Sequence, residues 1–380
     1  MTAPKDTGNL EAVLKFYSKR RIWAASLVSG IALLGAASSQ ARAEHHVAKP
    51  KMAEVGVIDN TSWWSEDASR DDLTVKLAKS VGYTAIENMA PVIQNISPDE
   101  LAKNLDRTAL VATAAAHNGL NYYLDLVPEH SDYTMDYVPG SQEEITQFID
   151  QAIDYMDTIA KAAPGQTVYL GLLNEPNYYY PDVNQAAINS VALYAQAYPV
   201  LHAEAQRLGL PLKIIGLHIT TSGDPLGYLN DFATAKKMQD IPPSQKLMDE
   251  SAVNRYDNGK VNSTQYNSVL VPAIQSATGP GVPIIGGEYA TGARTDQAKA
   301  AAYVRIFTDA TCQGTRVFFT FELFNDPPGD AYGWSSAAFE YQDPNQPWQP
   351  VANPILFNAL RTTIKSARAG TISCAPHPTS

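Results

Sequence analysis

Cysteine is scarce, with only Cys312 and Cys374 in 380 residues. Neither lies in a Cys/His spacing that would build a metal centre or a thiol nucleophile, so those chemistries are set aside. If the chain is exported, a bridge between the two is possible, with two free thiols as the alternative. Positive charge is short as well. Lys and Arg number 28 against 39 Asp and Glu, a formal charge of −11, which argues against nucleic acid or an anionic membrane as partner. No glycine-rich phosphate loop follows the first apolar strand, where a dinucleotide-binding open sheet would want one. No internal repeat or low-complexity linker divides the chain, so one domain is the simplest organisation.

One apolar stretch stands apart from the rest. Lys19, Arg20 and Arg21 precede a run from Ile22 to about Ala37, and Ala41-Arg42-Ala43 supplies a small-x-small cleavage pattern. The run is short for a membrane span, and residues 1–43 read as an export signal, with an uncleaved anchor as the alternative. Ser18-Lys19-Arg20-Arg21 loosely matches a twin-arginine signal, which leaves the route open. Removal of that segment leaves 22 basic and 37 acidic residues and a net charge of about −15. The expectation is a secreted or periplasmic monomer, free of the membrane once the signal is gone, with a short spacer at 44–53, a domain over 54–368 and a tail at 369–380.

What remains alternates between strand and helix, the pattern of a parallel sheet. Strands are expected at Val55–Ile58, Thr84–Met89, Asn121–Val127, from Thr167, at Lys213–Ile219, within Leu247–Tyr256, at Val282–Gly287 and at Arg316–Leu323. The first helix is expected to take Ser69 as N-cap and to bury Leu73, Leu77 and Val81. Ser97-Pro98-Asp99-Glu100 opens the second helix, which Gly119 closes, and Ser141 with Glu144 caps the third. The third helix carries Ile145, Phe148, Ile149, Ile153 and Met156 as its apolar stripe, and a last helix runs over Pro354–Ala367. Eight such units favour a closed (β/α)8 TIM barrel over an open sheet. Cys312 then falls at the foot of the barrel before strand eight, and a bridge to Cys374 would pin the tail there.

Two of the expected strands end in a glutamate. TVYLGLLNEPN, residues 167–177, carries Glu175 after Asn174 and before Pro176, and VPIIGGEYA carries Glu288 at the end of strand seven. In a parallel barrel the active site lies at that end of the strands, so the two would converge there. Asn-Glu-Pro on strand four with a second glutamate on strand seven resembles clan A of the retaining glycoside hydrolases, over about residues 54–368. The resemblance implies a (β/α)8 barrel with Glu175 as general acid/base and Glu288 as nucleophile. It implies, further, that Asn174 holds a sugar 2-hydroxyl and that Tyr256, in Val253-Asn254-Arg255-Tyr256, orients the nucleophile. Retention needs one protonated and one ionised carboxyl roughly 5 Å apart, and no cofactor.

Other residues compete for the same cavity. Glu87, Asp125, Glu129, Asp249, Glu250, Glu322 and Asp326 all lie at or near strand ends, and sequence alone leaves their directions open. Trp63, Trp64, Tyr133, Tyr137, Tyr178, Tyr179, Tyr180, Tyr332 and Trp334 follow strands one, three, four and eight, where rings could stack on a glycan. His130 and His218 are candidate hydrogen-bonding partners of substrate. The chain departs from the clan at two points. Strand eight reads Phe319-Thr320-Phe321-Glu322 where the clan usually places a tryptophan, so Trp334 or Glu322 would have to line that subsite. The arginine that members often carry near the end of strand two is absent, and Glu87-Asn88-Met89 occupies the region. The expected activity is endo-cleavage of a β-linked polysaccharide or oligosaccharide. The alternatives are a transglycosylase remodelling a cell glycan and a glycan-binding barrel without catalysis.

Overall fold

The computed structural model describes residues 51–59, 68–130, 137–257, 266–279, 281–324, 338–341 and 350–374. Eight strands close into a parallel barrel in chain order, which is the expected single (β/α)8 architecture. They are β1 (Glu54–Ile58), β2 (Ala85–Ile93), β3 (Asn121–Glu129), β4 (Val168–Gly171), β5 (Leu212–Thr220), β6 (Glu250–Asp257), β7 (Ile284–Thr291) and β8 (Val317–Thr320). The helices are α1 (Ala68–Val81), α2 (Pro98–Asn118), α3 (Gln142–Ala162), α4 (Val183–Leu208), α5 (Pro225–Met238), α6 (Val271–Thr278), α7 (Asp296–Cys312) and α8 (Pro354–Ala369). A short antiparallel pair, β9 (Phe339–Tyr341) with β10 (Pro350–Ala352), was not anticipated from the sequence.

The helix signals act largely as read. Ser97 Oγ accepts from the Glu100 amide, Pro98 opens α2, and Gly119 ends it in the left-handed conformation at φ 69° that glycine adopts without strain. Ser141 and Glu144 form a reciprocal capping box on α3, and the expected stripe of α3 is buried except for half-buried Ile153. For α1 the expectation is corrected. The helix begins at Ala68, so Ser69 lies in its first turn, and its buried face is Asp71, Thr74, Val75, Ala78 and Val81. Leu73 and Leu77 are only half-buried, because the face turned inward is one of smaller side chains. The strand β2 runs four residues past its expected end, through Pro91, which a pattern-based reading treats as a strand breaker.

The barrel interior is filled rather than hollow. Ala85, Tyr123, Tyr169, Ile215, Ala252, Ile285, Val317 and Phe319 form a buried cluster with a member from every strand but β1. On β1 the place is taken by Gly56, where a Cβ would stand 2.1 Å from the Phe319 ring. Bulky side chains from facing strands thus plug the lower barrel and leave polar groups to the upper part. At the foot, Cys312 and Cys374 are bridged across 62 residues of sequence, tying the segment after α8 to the end of α7.

Candidate active site

Register decides which side chains enter the barrel. From β2 to β3 nine consecutive pairs run without a shift, so alternation carries Glu87 and Asp125 to the inside, level with the groups that follow. The ladders from β5 to β8 are irregular. Between Gly216 and Ile219 on β5, and between Gly286 and Tyr289 on β7, one extra residue is inserted relative to the partner strand. Such bulges re-aim side chains, and here they carry His218 and Glu288. At the β5 bulge Leu217 takes φ 44°, the left-handed region that an L side chain rarely adopts.

Glu175 is held by a similar device. It has φ 45°, and its amide donates to the His218 carbonyl at 2.8 Å, while Asn174 bridges to His218 beside it. A non-glycine residue in that region costs on the order of 1 kcal/mol, and such strain concentrates at functional positions. Asn177 fastens the loop beyond, its Nδ2 donating to the Thr220 and Ser222 carbonyls at 3.0 and 2.9 Å.

Asn254 joins the two glutamates. Its Nδ2 donates to Glu175 Oε1 at 2.9 Å and reaches Asn174 Oδ1 at 3.4 Å, while its Oδ1 accepts the backbone N–H of Glu288 at 2.8 Å. The Tyr256 hydroxyl donates to Glu288 Oε2. Asn254 and Tyr256 are two apart on β6 and share the inner face. Arg255 between them is buried on the other side, its guanidinium 5.4 Å from the centre of the Tyr266 ring. Under this layer His218 is fully buried, with Nε2 2.6 Å from Asn254 Oδ1, Nδ1 2.9 Å from Asp125 Oδ2 and the Tyr123 hydroxyl 3.3 Å away. Gly287 makes room for this arrangement. A Cβ there would lie 2.4 Å from Asn254 Oδ1 and 2.5 Å from His218 Nε2, so only glycine fits.

The electrostatics follow from burial. Burial pushes the Glu175 carboxyl up, opposed by the Asn254 hydrogen bond and by the charge of His218. Burial, then the charge of Glu175, pushes Glu288 up to about 8, with His218 and the Tyr256 hydroxyl opposing. Two carboxyl groups that repel each other this way lose their protons as a pair, since the charge left by the first opposes loss of the second. Glu87 is raised well above its ordinary value by burial, and next by the charges of Asp125 and Glu288.

The sequence-derived residues thus sort into three groups. Glu175, Glu288, Asn174, Tyr256 and His218 meet in one cluster. His218 has no exposed surface through which to touch a ligand. His130 stacks on Tyr137 at 4.3 Å after β3, and Tyr178 is 54% exposed after β4, edge-on to Tyr179. Glu322 is buried just after β8. Trp63, Trp64, Trp334, Tyr133, Tyr332 and Asp326 lie outside the described residues. Of the competing carboxylates, Glu87 and Asp125 join the cluster, and burial raises Glu129, at the end of β3, to about 7. Asp249 and Glu250 are at the opposite end. Asp249 accepts from Tyr198 and the Ile214 amide and pairs with His202. Glu250 lines a cavity of about 570 Å³ with Tyr169, Tyr266 and Arg316, well away from the paired glutamates. Sequence reasoning missed Asn254, although its place two residues before Tyr256 puts both on one strand face.

One ligand atom each from Glu87, His218 and Glu288 lies within 4.8 Å of the others, a spacing open to a cation. His218 Nε2 faces the Asn254 oxygen at 2.6 Å and Nδ1 faces Asp125 Oδ2 at 2.9 Å, so the ring is already engaged by oxygen atoms of the protein.

No protein-family model and no curated protein matches the sequence. Among solved structures the chain is similar to a family 39 glycoside hydrolase from Bacteroides cellulosilyticus, with TM-score 0.55 and 12% identity over 83% of this chain and 64% of that one. It is similar to an exo-β-1,4-mannosidase from an Opitutaceae bacterium, with TM-score 0.56 and 14% identity over 85% and 61%. It is similar, too, to a β-mannanase from Streptomyces thermolilacinus, with TM-score 0.52 and 14% identity over 83% and 92%. The chain therefore spans less than two thirds of the first two proteins. At these identities the likeness establishes the barrel fold, and chemistry has to be argued from the site.

Proposed function

We propose that the protein is a clan A retaining glycoside hydrolase, with Glu288 as nucleophile and Glu175 as general acid/base. The observation that carries this reading is Asn254, one side chain that holds the Glu175 carboxylate by its Nδ2 and the Glu288 amide by its Oδ1. Glycoside cleavage with retention asks for two close carboxyl groups sharing one proton, and mutual repulsion inside a buried site supplies that condition. Glu288 attacks the anomeric carbon while Glu175 donates its proton to the departing oxygen. Once Glu288 is esterified its charge is gone, the Glu175 carboxyl becomes more acidic, and it can take a proton from the incoming water. Tyr256 orients Glu288 through its hydroxyl, and Asn174 is placed beside Glu175 to meet the sugar 2-hydroxyl. Similarity to three glycoside hydrolases supports the same class.

The finer reading is an exported, endo-acting monomer that cuts a β-linked polysaccharide, with aromatic side chains such as Tyr178 on the rim and Glu322 beside the sugar. The test is reducing-end release from β-glucans, mannans, xylans, galactans and bacterial exopolysaccharides by the wild type and by Glu288→Gln. Release by the wild type that the substitution nearly abolishes supports the assignment and names the substrate. Binding without release, or equal cleavage by the variant, would contradict it. Longer chains among the products would mark a transglycosylase.

A further inference from the structure

The strand-two position where clan members often carry an arginine holds Glu87 here, so β2 brings a carboxyl group to the site and no cation. The hydrogen bonds around Asn254 and His218 bear on where a positive charge sits. The backbone N–H of Glu288 points at one end of the Asn254 amide at 2.8 Å, and a backbone amide can only donate. That end is therefore the oxygen, and the assignment does not rest on a choice between look-alike atoms. His218 Nε2 lies 2.6 Å from this same oxygen, so Nε2 carries a hydrogen. The other ring nitrogen is 2.9 Å from Asp125 Oδ2. Asp125 is fully buried, and neither of its oxygens has a hydrogen-bond partner among the described residues, so the ring at 2.9 Å is the group placed to balance its charge, which puts the second ring proton on Nδ1 beside it.

We propose that His218 is a permanently buried imidazolium and the positioning cation of this active site, fixing the Asn254 amide through Nε2–H and favouring the ionised form of Glu288 by its charge. The inference rests on the glycosidase reading for its consequence, though not for the protonation itself. The ring is faced by Tyr123 and Asp125 from β3, by Glu87 from β2, by Glu175 from the end of β4 and by Glu288 from β7. Burial opposes its charge, yet Asp125, Glu288 and Glu175 together outweigh burial and push the imidazole up to about 9. The same charge favours ionisation of both catalytic glutamates. Asn254 turns that charge into geometry: with its oxygen occupied by two donors, its Nδ2 has to face Glu175. A neutral ring bearing hydrogen only on Nδ1 would put two lone pairs face to face and release the amide to rotate.

Two measurements on the full chain test this. In protein labelled with ¹⁵N-histidine, nuclear magnetic resonance should show one of the 7 rings doubly protonated and unchanged from pH 5 to pH 8, absent in His218→Gln. A His218 ring that carries a single proton at pH 7 overturns the proposal, and this readout needs neither a substrate nor an active variant. In His218→Gln, loss of the cation should move the acid limb of kcat/KM up by about 1–3 pH units. A uniform loss of rate with the limb unmoved would mark His218 as packing alone and overturns the positioning role. Should Glu288→Gln retain full activity, the glycosidase reading falls while the resonance experiment still decides the protonation of His218.

Discussion

Glu54 and Glu87 are buried glutamates on adjacent strands of the same barrel, and burial raises the pKa of both. Their surroundings differ. Glu54, at the foot, accepts from Asn121 Nδ2 at 2.7 Å and from the Tyr169 hydroxyl. Glu87, higher up, has no hydrogen-bond partner for either oxygen among the described residues, and it faces Asp125 and Glu288. An ionised carboxylate without partners in such a place would cost many kcal/mol, so Glu87 is held protonated. At the foot, donors serve both oxygens of Glu54, whereas around Glu87 the upper barrel gathers more carboxyl groups than its donors serve. That imbalance has a use, because crowded carboxyl groups are forced to share protons, as a retaining hydrolysis requires.

Substitutions at the two ends should separate along this line. The largest effect belongs to Glu288→Gln, with kcat lowered on the order of 10⁴-fold and an unchanged circular dichroism spectrum. Glu175→Gln should lower the rate by about 10²–10⁴-fold, the range of a lost general acid. It should also remove the alkaline limb of the pH–rate profile, which in the wild type falls as Glu175, its carboxyl pushed up by burial, gives up its proton. At the foot the cost is in stability. Replacing Cys312 and Cys374 by alanine should lower the unfolding free energy by about 2–4 kcal/mol in denaturant titration and leave kcat unmoved. Glu54→Gln should cost about 1–3 kcal/mol through the donors it disappoints, again with kcat unmoved.

Glu87→Gln is the smallest and the sharpest of these comparisons. Its folded pKa is raised above the ordinary 4.5, so above that value the folded chain holds a proton that the unfolded chain has released. Stability is therefore lost as pH rises, and the amide, which does not titrate, removes that loss. The variant should match the wild type near pH 4 in thermal unfolding and exceed it near pH 8. A stability difference that shrinks with rising pH would mean that Glu87 is ionised in the fold.

The same contrast explains what could be read from the sequence. The strands, the helix caps at Ser97 and Ser141 and the two strand-end glutamates rest on local patterns of apolar residues, caps and breakers, and these survive folding. Alternation would also have placed Glu87 and Asp125, because the β2–β3 ladder is regular, once the register of either strand was known. The inward turn of His218 and Glu288 depends on bulges at β5 and β7, and no local residue pattern announces those. Asn254 was legible in principle as the same-face neighbour of Tyr256. Its task appears only when β4, β6 and β7 are brought together.

The most direct test of the paired-glutamate account is the anomer first released from the substrate that the reducing-end panel identifies. Proton nuclear magnetic resonance within the first turnovers, before mutarotation, should show the β-anomer from a β-linked chain, as two displacements through Glu288 require. Initial release of the α-anomer would mean a single displacement by water and would contradict the roles given to Glu175 and Glu288.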